Sequence, residues 1–343
     1  MKKKLLLGLI FIIVGRINGV SQTFDLDTIH YNGPNAATFV LLRDGYTSSE
    51  MTTFISHADA FKTALFNESP FNEYQNYINI FIVKTPSLQS GASHPGTATD
   101  VTEPAHPVST VYNYYNSTFD NNNIHRSLKA QTSIVTNVLS NTYPAYDVAL
   151  ILVNTSFPAG SGNRRLKTAT YAAANSNALE TALHEIGHGF ANLADEYYGS
   201  ARETFNMTQT SSPAMVRWKN WVGINSVDVY QHAGRSWYRP HQNCKMRYLG
   251  RDFCSVCSEA IVEKIHSITP ALNSFLPDNS SSIPISASPT EFELDLVEPV
   301  PNTLKIDWVL NGVTIHKNVN SLVINASDLQ GGQHFSCQYS GYR

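Results

Sequence analysis

The sequence has little charge and few cysteines, and each scarcity excludes a class of protein. Only 15% of the 343 residues are charged, and 24 basic and 27 acidic side chains give a formal net charge of −3. This balance provides no basic surface for binding nucleic acid or an anionic membrane. Four cysteines are too few for a scaffold built from disulfides. At 42% hydrophobic residues, the chain is also too apolar to be disordered.

Long apolar runs are scarce as well, and the longest one lies at the N-terminus. Lys2–Lys4 precede an apolar run from Leu5 to Val14, and small and polar residues follow it. A membrane-spanning helix needs roughly 20 apolar residues, so this run is too short to be one. The pattern predicts a signal peptide at residues 1–21, cleaved after Gly19 or Ser21, with an uncleaved anchor as the alternative. We therefore expect a secreted, periplasmic or cell-surface protein.

Three of the four cysteines, Cys244, Cys254 and Cys257, are close in sequence, whereas Cys337 is distant. A structural zinc site would need a fourth nearby ligand, and the Cys-x-x-Cys pair has no second pair at the usual spacing. In an exported chain we therefore predict a local disulfide from Cys244 to either Cys254 or Cys257. The sequence leaves that choice open.

The order of predicted elements indicates an α/β fold. Thr38–Leu42, Tyr77–Lys84 and Asp147–Asn154 are apolar and rich in β-branched residues, which predicts three strands. Between the first two, Thr47 and Glu50 form a capping-box pattern that predicts the start of a helix. Its apolar face would consist of Phe54, Ala58, Phe61 and Leu65.

The composition changes near residue 270 and predicts a second, smaller domain. Glu291–Leu296 and Leu304–Leu310 alternate in the manner of strands, and Asn311-Gly312 is typical of a type I′ hairpin turn. We predict a β-sandwich, of immunoglobulin-like type, over residues 270–343.

The residues that carry chemistry are concentrated in His184-Glu185-Ile186-Gly187-His188. On a helix the two histidines are one turn apart and share a face, so both imidazoles can bind one Zn²⁺. Glu185 is then the general base that takes a proton from the activated water and delivers it to the leaving amine. The alternative is a surface helix whose histidines are satisfied by other partners.

A catalytic zinc usually has three protein ligands, so a third must be found. If the helix continued to Asp195, that residue would lie about 10 Å further along the axis, too far to bind the same metal. Gly189 could end the helix in the left-handed conformation and allow the chain to turn back. Asp195 is then the first choice for the third ligand and Glu196 the second.

Further along the chain, Met246 and Tyr248 add a weaker signal. A methionine in a tight turn beneath the zinc accompanies His-Glu-x-x-His sites that break after the second histidine. Tyr248, two residues later, could donate its hydroxyl to the oxyanion of the tetrahedral intermediate. Packing in the core is the alternative for both.

Together these segments resemble the M64 metallopeptidases, the family typified by bacterial immunoglobulin A peptidase. The active-site segment His184–Tyr197 carries most of the resemblance. Five other blocks occur in the same order over about residues 25 to 266: Asp44-Gly45-Tyr46-Thr47 with Glu50, Pro70-Phe71 with Tyr74, Ser90-Gly91 with Pro95, Gly160-Ser161-Gly162, and Cys244-x-Met246-Arg247 with Phe253-Cys254-x-x-Cys257.

The resemblance implies a zincin or metzincin-like catalytic domain over residues 22–269. It further implies a zinc ion on His184, His188 and Asp195, with Glu185 as base and Met246 in the Met-turn. The chain departs from the wider metzincin pattern, which has a glycine and a ligand where this sequence has Ala191 and Ala194.

We accordingly expect a zinc endopeptidase that cleaves an extracellular protein or glycoprotein bound in extended form. In such a fold Gly160–Tyr171 would supply the edge strand along which the peptide binds, with a plain surface hairpin as the alternative. We expect it to act as a monomer, with no nucleic acid partner and no transmembrane segment. The alternative is an exported, non-catalytic protein that binds glycan or protein. The presence of Glu185 favours the enzyme, because a binding protein does not need that carboxylate. Hydrolysis of a non-peptide amide is a third hypothesis.

Overall fold

The computed structural model describes residues 24–100, 107–197, 201–232, 236–278 and 288–328, and the backbone of 335–340. The predicted signal peptide lies outside these residues. The elements up to residue 189 are β1 (Leu26–His30), β2 (Ala37–Asp44), α1 (Met51–Leu65), β3 (Ile78–Val83), α2 (Thr132–Thr142), β4 (Val148–Val153), β5 (Gly160–Asn163), β6 (Thr168–Ala172) and α3 (Ala178–Gly189). The later elements are β7 (Tyr230–Gln231), β8 (Tyr238–Arg239), α4 (Ser255–Ile268), β9 (Leu272–Leu276), β10 (Thr290–Leu296), β11 (Lys305–Leu310), β12 (Val313–Lys317), β13 (Ser321–Ile324) and β14 (Phe335–Ser340). Within the described parts of the chain, every helix is too short or too polar to cross a bilayer.

A six-stranded mixed sheet organises the larger part of the protein, in the order β1-β3-β2-β4-β6-β5. The four inner strands are parallel, and the strands at the two edges, β1 and β5, run antiparallel to their neighbours. Three of these strands, β2, β3 and β4, are those that the sequence predicts. The α/β prediction is thus confirmed, with the motif helix α3 following directly after β6.

Both faces of this sheet are covered, which explains why its strands are continuous apolar runs. Along β2, Phe39 and Leu41 pack into a core with α1, α3 and α4. Val40 and Leu42 point to the other face, where α2 covers them. Side chains alternate between the two faces along a strand, so Phe39 and Leu41 share one face of the sheet, and α3 packs on that face.

The first helix follows the predicted pattern. The backbone N–H of Thr47 donates to Glu50 Oε2 at 2.8 Å, which completes a capping box at a short 3₁₀ turn before α1. All four residues of the predicted apolar face are buried in α1. The helix therefore packs on the sheet through the face that the spacing indicates.

The region after α4 forms two three-stranded antiparallel sheets, β13-β10-β9 and β12-β11-β14. They share a small core of Leu294, Ile306, Trp308, Leu322 and Ile324. Asn311 (φ 52°) and Gly312 (φ 82°) both have positive φ, as the predicted type I′ turn requires. The immunoglobulin-like assignment and the boundary at residue 270 stay predictions.

A loop of this second region lies against the segment that precedes β3. The backbone N–H of Val300 donates to the Glu73 carbonyl at 2.7 Å, and Asn76 Nδ2 donates to the Glu298 carbonyl at 2.9 Å. Val297 also packs on the core of the larger sheet. The two regions are therefore in direct contact through the 297–300 loop.

Candidate metal centre

Helix α3 places the two histidines of the motif side by side on one face. Leu183 and Ile186 anchor the helix in the core of the sheet, and His184 and His188 are themselves buried. The ring centroids of the histidines are 4.8 Å apart. The one-turn spacing in the sequence thus produces a pair of neighbouring imidazoles.

The helix ends differently from the prediction. Gly189 is its last residue, and the N–H of Phe190 still donates to the Ile186 carbonyl at 2.8 Å. The left-handed residue is Asn192, at φ 56°, and not Gly189. Asparagine tolerates this conformation, so the turn occurs three residues later than expected. The N–H of Leu193 then donates to the Gly187 carbonyl at 2.9 Å, which closes the helix end.

This turn brings Asp195 back to the histidines. Its Oδ1 lies 3.1 Å from His184 Nε2 and 3.0 Å from His188 Nε2. The three residues form a group whose donor atoms all lie within 4.8 Å of one another. Glu196, the second choice, points away, and its Oε1 accepts a hydrogen bond from Asn206 Nδ2 at 2.8 Å. Of the two carboxylates, the structure brings Asp195 and not Glu196 to the histidines.

A backbone carbonyl lies against the Nδ1 of each ring, and Arg164 Nη2 also lies 2.9 Å from His188 Nδ1. His184 Nδ1 lies 3.0 Å from the Lys245 carbonyl oxygen, and His188 Nδ1 lies 2.8 Å from that of Leu193. A carbonyl only accepts, so each ring can donate an Nδ1–H to its carbonyl and offer the opposite Nε2, which faces Asp195, to a metal ion. Two neutral imidazoles and one carboxylate are donors that suit zinc, and carbonyl partners of this kind orient metal ligands. The residues present therefore fit a zinc ion.

Glu185 is buried between α3 and the edge strand β5. Its Oε2 has no hydrogen-bond partner among the described residues. A Cβ at Gly162 would lie 2.7 Å from this oxygen, so glycine allows β5 to pass directly over the carboxylate. Burial raises the pKa of Glu185 above its ordinary value, although His188 and His184 oppose the shift. A carboxyl group of raised pKa is suited to holding a proton between steps.

Tyr197, the last residue of the His184–Tyr197 segment, lies beside the histidines. Its ring centroid is 6.3 Å from that of His184, and its hydroxyl interacts electrostatically with the Asp195 and Glu185 carboxylates. Burial, with the negative charges of Asp195 and Glu185, raises the pKa of Tyr197. Two opposing effects act on the pKa of Asp195. Burial raises this pKa, but the hydrogen bonds with the two histidines outweigh burial and lower it.

Met246 packs against the motif helix, and its assignment to a Met-turn stays a prediction. It is fully buried, and a Cβ on Gly187 would lie 2.5 Å from its sulfur, so the two residues pack in direct contact. Tyr248 is instead 48% exposed, and the guanidinium of Arg247 lies 4.7 Å from its ring centroid. Among the described residues no recorded contact joins Tyr248 to the histidines or Asp195. Its role as oxyanion donor stays a prediction.

Arg164, at the end of β5, is a residue without a signal in the sequence. Its Nη2 donates at 2.7 Å to the Leu193 carbonyl, the same group that orients His188. A cavity of about 320 Å³ lies along β5, and its lining includes Arg164, Lys129 and Arg202. The edge strand β5 therefore has the basic cavity on one side and the group of His184, His188 and Asp195, the histidine centre, on another.

The disulfide prediction is wrong. Cys244, Cys254 and Cys257 are free and buried. The sulfurs of Cys244 and Cys257 are 3.7 Å apart, whereas a disulfide requires about 2.05 Å. The Cys257 sulfur lies 3.5 Å from Glu196 Oε1, so these cysteines converge with a carboxylate.

Comparison with known proteins places this geometry in context. The family model described as IgA Peptidase M64 matches residues 29–227. Among solved structures, the chain is similar to archaemetzincin from Methanopyrus kandleri, at 11% identity and a TM-score of 0.31, with 67% of this chain and 96% of that chain covered. No curated protein matches significantly. The matched family segment includes His184, His188 and Asp195, and it ends before Cys244.

Proposed function

The chain belongs to the IgA peptidase M64 family, and we propose that this metallopeptidase is a zinc-dependent endopeptidase acting on extracellular protein or glycoprotein. The observation that carries the proposal is the convergence of His184 Nε2, His188 Nε2 and Asp195 Oδ1 beside the buried Glu185. Export rests on the predicted signal peptide. It is tested by the mass of the exported chain, which begins at Val20 or Gln22 if the signal is removed.

In this proposal, His184, His188 and Asp195 hold the ion. Bound zinc would supply a Lewis acid that activates water and polarises the scissile carbonyl. The carbonyls of Lys245 and Leu193 keep both Nε2 atoms directed at the ion, because each Nδ1–H is already donated. Tyr197 lies beside the site, with its ring 6.3 Å from that of His184, and its hydroxyl would interact with the Asp195 carboxylate.

Glu185 moves the proton. Its unpartnered Oε2 is free to accept a proton from the attacking water, and the raised pKa of Glu185 allows the group to keep that proton until the amine leaves. Delivery of the proton to the leaving nitrogen returns the carboxylate to its starting state. The position of Glu185 between α3 and β5 keeps bulk water away from this transfer.

The substrate is proposed to bind in extended form along β5. This strand is the last of the sheet, so its outer backbone groups can pair with a peptide, as in other cases of strand addition. Peptide on that edge would run past Glu185, which β5 covers. The cavity along β5 offers space for a substrate side chain, and its Lys129, Arg164 and Arg202 favour an acidic one.

The decisive variant is Glu185→Gln, which keeps the shape of the side chain and removes the base. We expect kcat to fall by at least about 10²-fold, the usual contribution of a general base, with zinc content unchanged. Casein and immunoglobulin A serve as probes, and mass spectrometry of the released fragments reports the bond cleaved. The matched control is Glu263→Gln, an exposed carboxylate on α4, which should retain full activity. Undiminished proteolysis by Glu185→Gln would refute the mechanism.

A further inference from the structure

A second group of metal-type donors lies behind the histidine centre. Glu196, Cys244, Cys254 and Cys257 each offer a donor atom, and these four atoms lie within 4.8 Å of one another. We propose that this group, the thiolate cluster, is a second metal site that holds one structural zinc ion. The proposal does not depend on the proposed function, because no residue of the thiolate cluster takes part in hydrolysis.

The distances within the thiolate cluster match a tetrahedral zinc site. Two sulfurs, each about 2.3 Å from zinc, lie about 3.8 Å apart at tetrahedral angles. The sulfurs of Cys244 and Cys257 are 3.7 Å apart. A sulfur and a carboxylate oxygen on the same ion should be about 3.5 Å apart, and Cys257 Sγ lies 3.5 Å from Glu196 Oε1. Both distances therefore agree with those expected for donors that share one ion.

The burial of Glu196 also calls for a cation. Its side chain is fully buried, and its Oε2 has no hydrogen-bond partner among the described residues. Arg239 is the basic side chain that acts on Glu196 electrostatically, but its hydrogen bonds go to the carbonyls of Gln231 and His241. A buried carboxylate in this condition is costly unless a metal or another charge compensates it. An ion at the thiolate cluster would provide that compensation.

The donor set indicates both the metal and its role. Three thiolates favour a thiophilic ion such as zinc over magnesium or calcium. Four protein donors complete a tetrahedral shell, which is characteristic of structural sites, whereas catalytic sites keep a position open. The backbone N–H of Cys254 also lies 3.4 Å from the Cys244 sulfur, and such contacts stabilise a thiolate. The thiolate cluster is therefore suited to a structural ion.

The ion would stabilise the histidine centre, because two of its ligands directly neighbour Asp195 and Lys245 in the chain. Glu196 follows Asp195 directly, and its backbone N–H donates to the Met246 carbonyl at 2.8 Å. Cys244 precedes Lys245, whose carbonyl accepts from His184 Nδ1 at 3.0 Å. An ion that holds Glu196 and Cys244 would thereby limit the movement of Asp195 and of the carbonyl that orients His184.

Metal content of purified protein tests the proposal. We expect about two zinc ions per chain in the wild type and about one in a His184→Ala/His188→Ala double variant, in which only the thiolate cluster remains. Cobalt substituted into the double variant should give thiolate-to-cobalt charge-transfer absorption. That absorption should be lost when Cys254→Ser and Cys257→Ser are added, and it should be kept with Cys337→Ser, the matched control outside the cluster.

Two outcomes would overturn the proposal. One is a double-histidine variant that is folded by circular dichroism but contains no zinc and shows no thiolate band with cobalt. The other is a disulfide among the three cysteines, seen as a mass difference between reduced and unreduced protein. If the serine substitutions prevent folding, the spectrum of the double-histidine variant still decides the matter. Activity is not measured, so failure here is distinct from failure of the peptidase mechanism.

Discussion

Two clusters of metal-type donors lie on opposite sides of the Asp195–Glu196 peptide, and their surroundings differ. The histidine centre has three donors, its Asp195 side chain is 31% exposed, and the unpartnered Glu185 lies beside it. The thiolate cluster has four donors, all of them buried. Three donors, one of them partly exposed, leave a coordination position and access for a substrate, whereas four buried donors close the shell. The number and the exposure of the donors therefore distinguish the centre proposed to be catalytic from the one proposed to be structural.

The largest expected effect comes from replacing each of the two neighbouring carboxylates by alanine in turn. Asp195→Ala should remove zinc from the histidine centre and lower kcat/KM at least about 10³-fold, because water is no longer activated there. Glu196→Ala should instead remove the ion of the thiolate cluster and lower the melting temperature. The measurement is zinc per chain for each variant, with and without the His184→Ala/His188→Ala background.

The same variants also test whether the two clusters are separate metal sites. In the background without histidines, Asp195→Ala should have no further effect on zinc content, while Glu196→Ala should remove what remains. Loss of the same ion in both single variants would mean that the two carboxylates serve one centre.

An intermediate effect is expected at Lys245, whose backbone and side chain have separate tasks. The buried ammonium lies 2.7 Å from Glu180 and 3.2 Å from Glu68, while the carbonyl of the same residue orients His184. Lys245→Met should lower the free energy of unfolding by about 3 kcal/mol, the low end for a broken buried ion pair, since Glu180 is 36% exposed. Zinc content should not change, because the carbonyl remains.

Urea denaturation measures this loss of stability, and Lys317→Met is the matched control. Lys317 is 69% exposed and 3.9 Å from Asp307, so removing its charge should cost less than about 1 kcal/mol. A Lys245→Met protein that is as stable as the wild type but has lost zinc would assign the side chain, and not the carbonyl, to the histidine centre.

The smallest effect separates the two tyrosines. Tyr197→Phe removes a hydroxyl that interacts with the Asp195 carboxylate and should weaken zinc binding at the histidine centre about 10-fold, the usual cost of losing a partner of a metal ligand. Competition with a chelator measures this affinity. Tyr248→Phe should leave zinc affinity unchanged, and a fall in kcat without a change in affinity would support its predicted role as oxyanion donor. A weaker zinc site in Tyr248→Phe would contradict both assignments.

Local patterns predict much of the fold. The capping box at Thr47, the apolar face of α1 and the Asn311-Gly312 turn were all predictable because each depends on neighbours within a few residues. The strands β2, β3 and β4 were predictable because burial on both faces makes them continuous apolar runs. The pairing of His184 with His188 likewise follows from helical spacing alone.

Features that depend on backbone conformation or on contacts with distant residues were harder to predict from the sequence. The turn after α3 occurs at Asn192 and not at Gly189, because the helix continues through one more hydrogen bond, from Phe190 to Ile186. Tyr197 and Arg164 carry no pattern that distinguishes them from other polar or aromatic residues. Their contacts with Asp195 and Leu193 exist only because the chain turns back at this point.

The sequence by itself determined the motif helix, its two histidines and the neighbouring Glu185, because a helix relates residues three and four positions apart in a regular way. Only the tertiary structure decided that Asp195 faces the histidines while Glu196 faces three cysteines. The sequence suggested a disulfide because no fourth ligand lies near Cys254 and Cys257 at the usual spacing. That fourth donor, Glu196, comes from a distant part of the chain, and folding of the turn after α3 brings it to the cysteines.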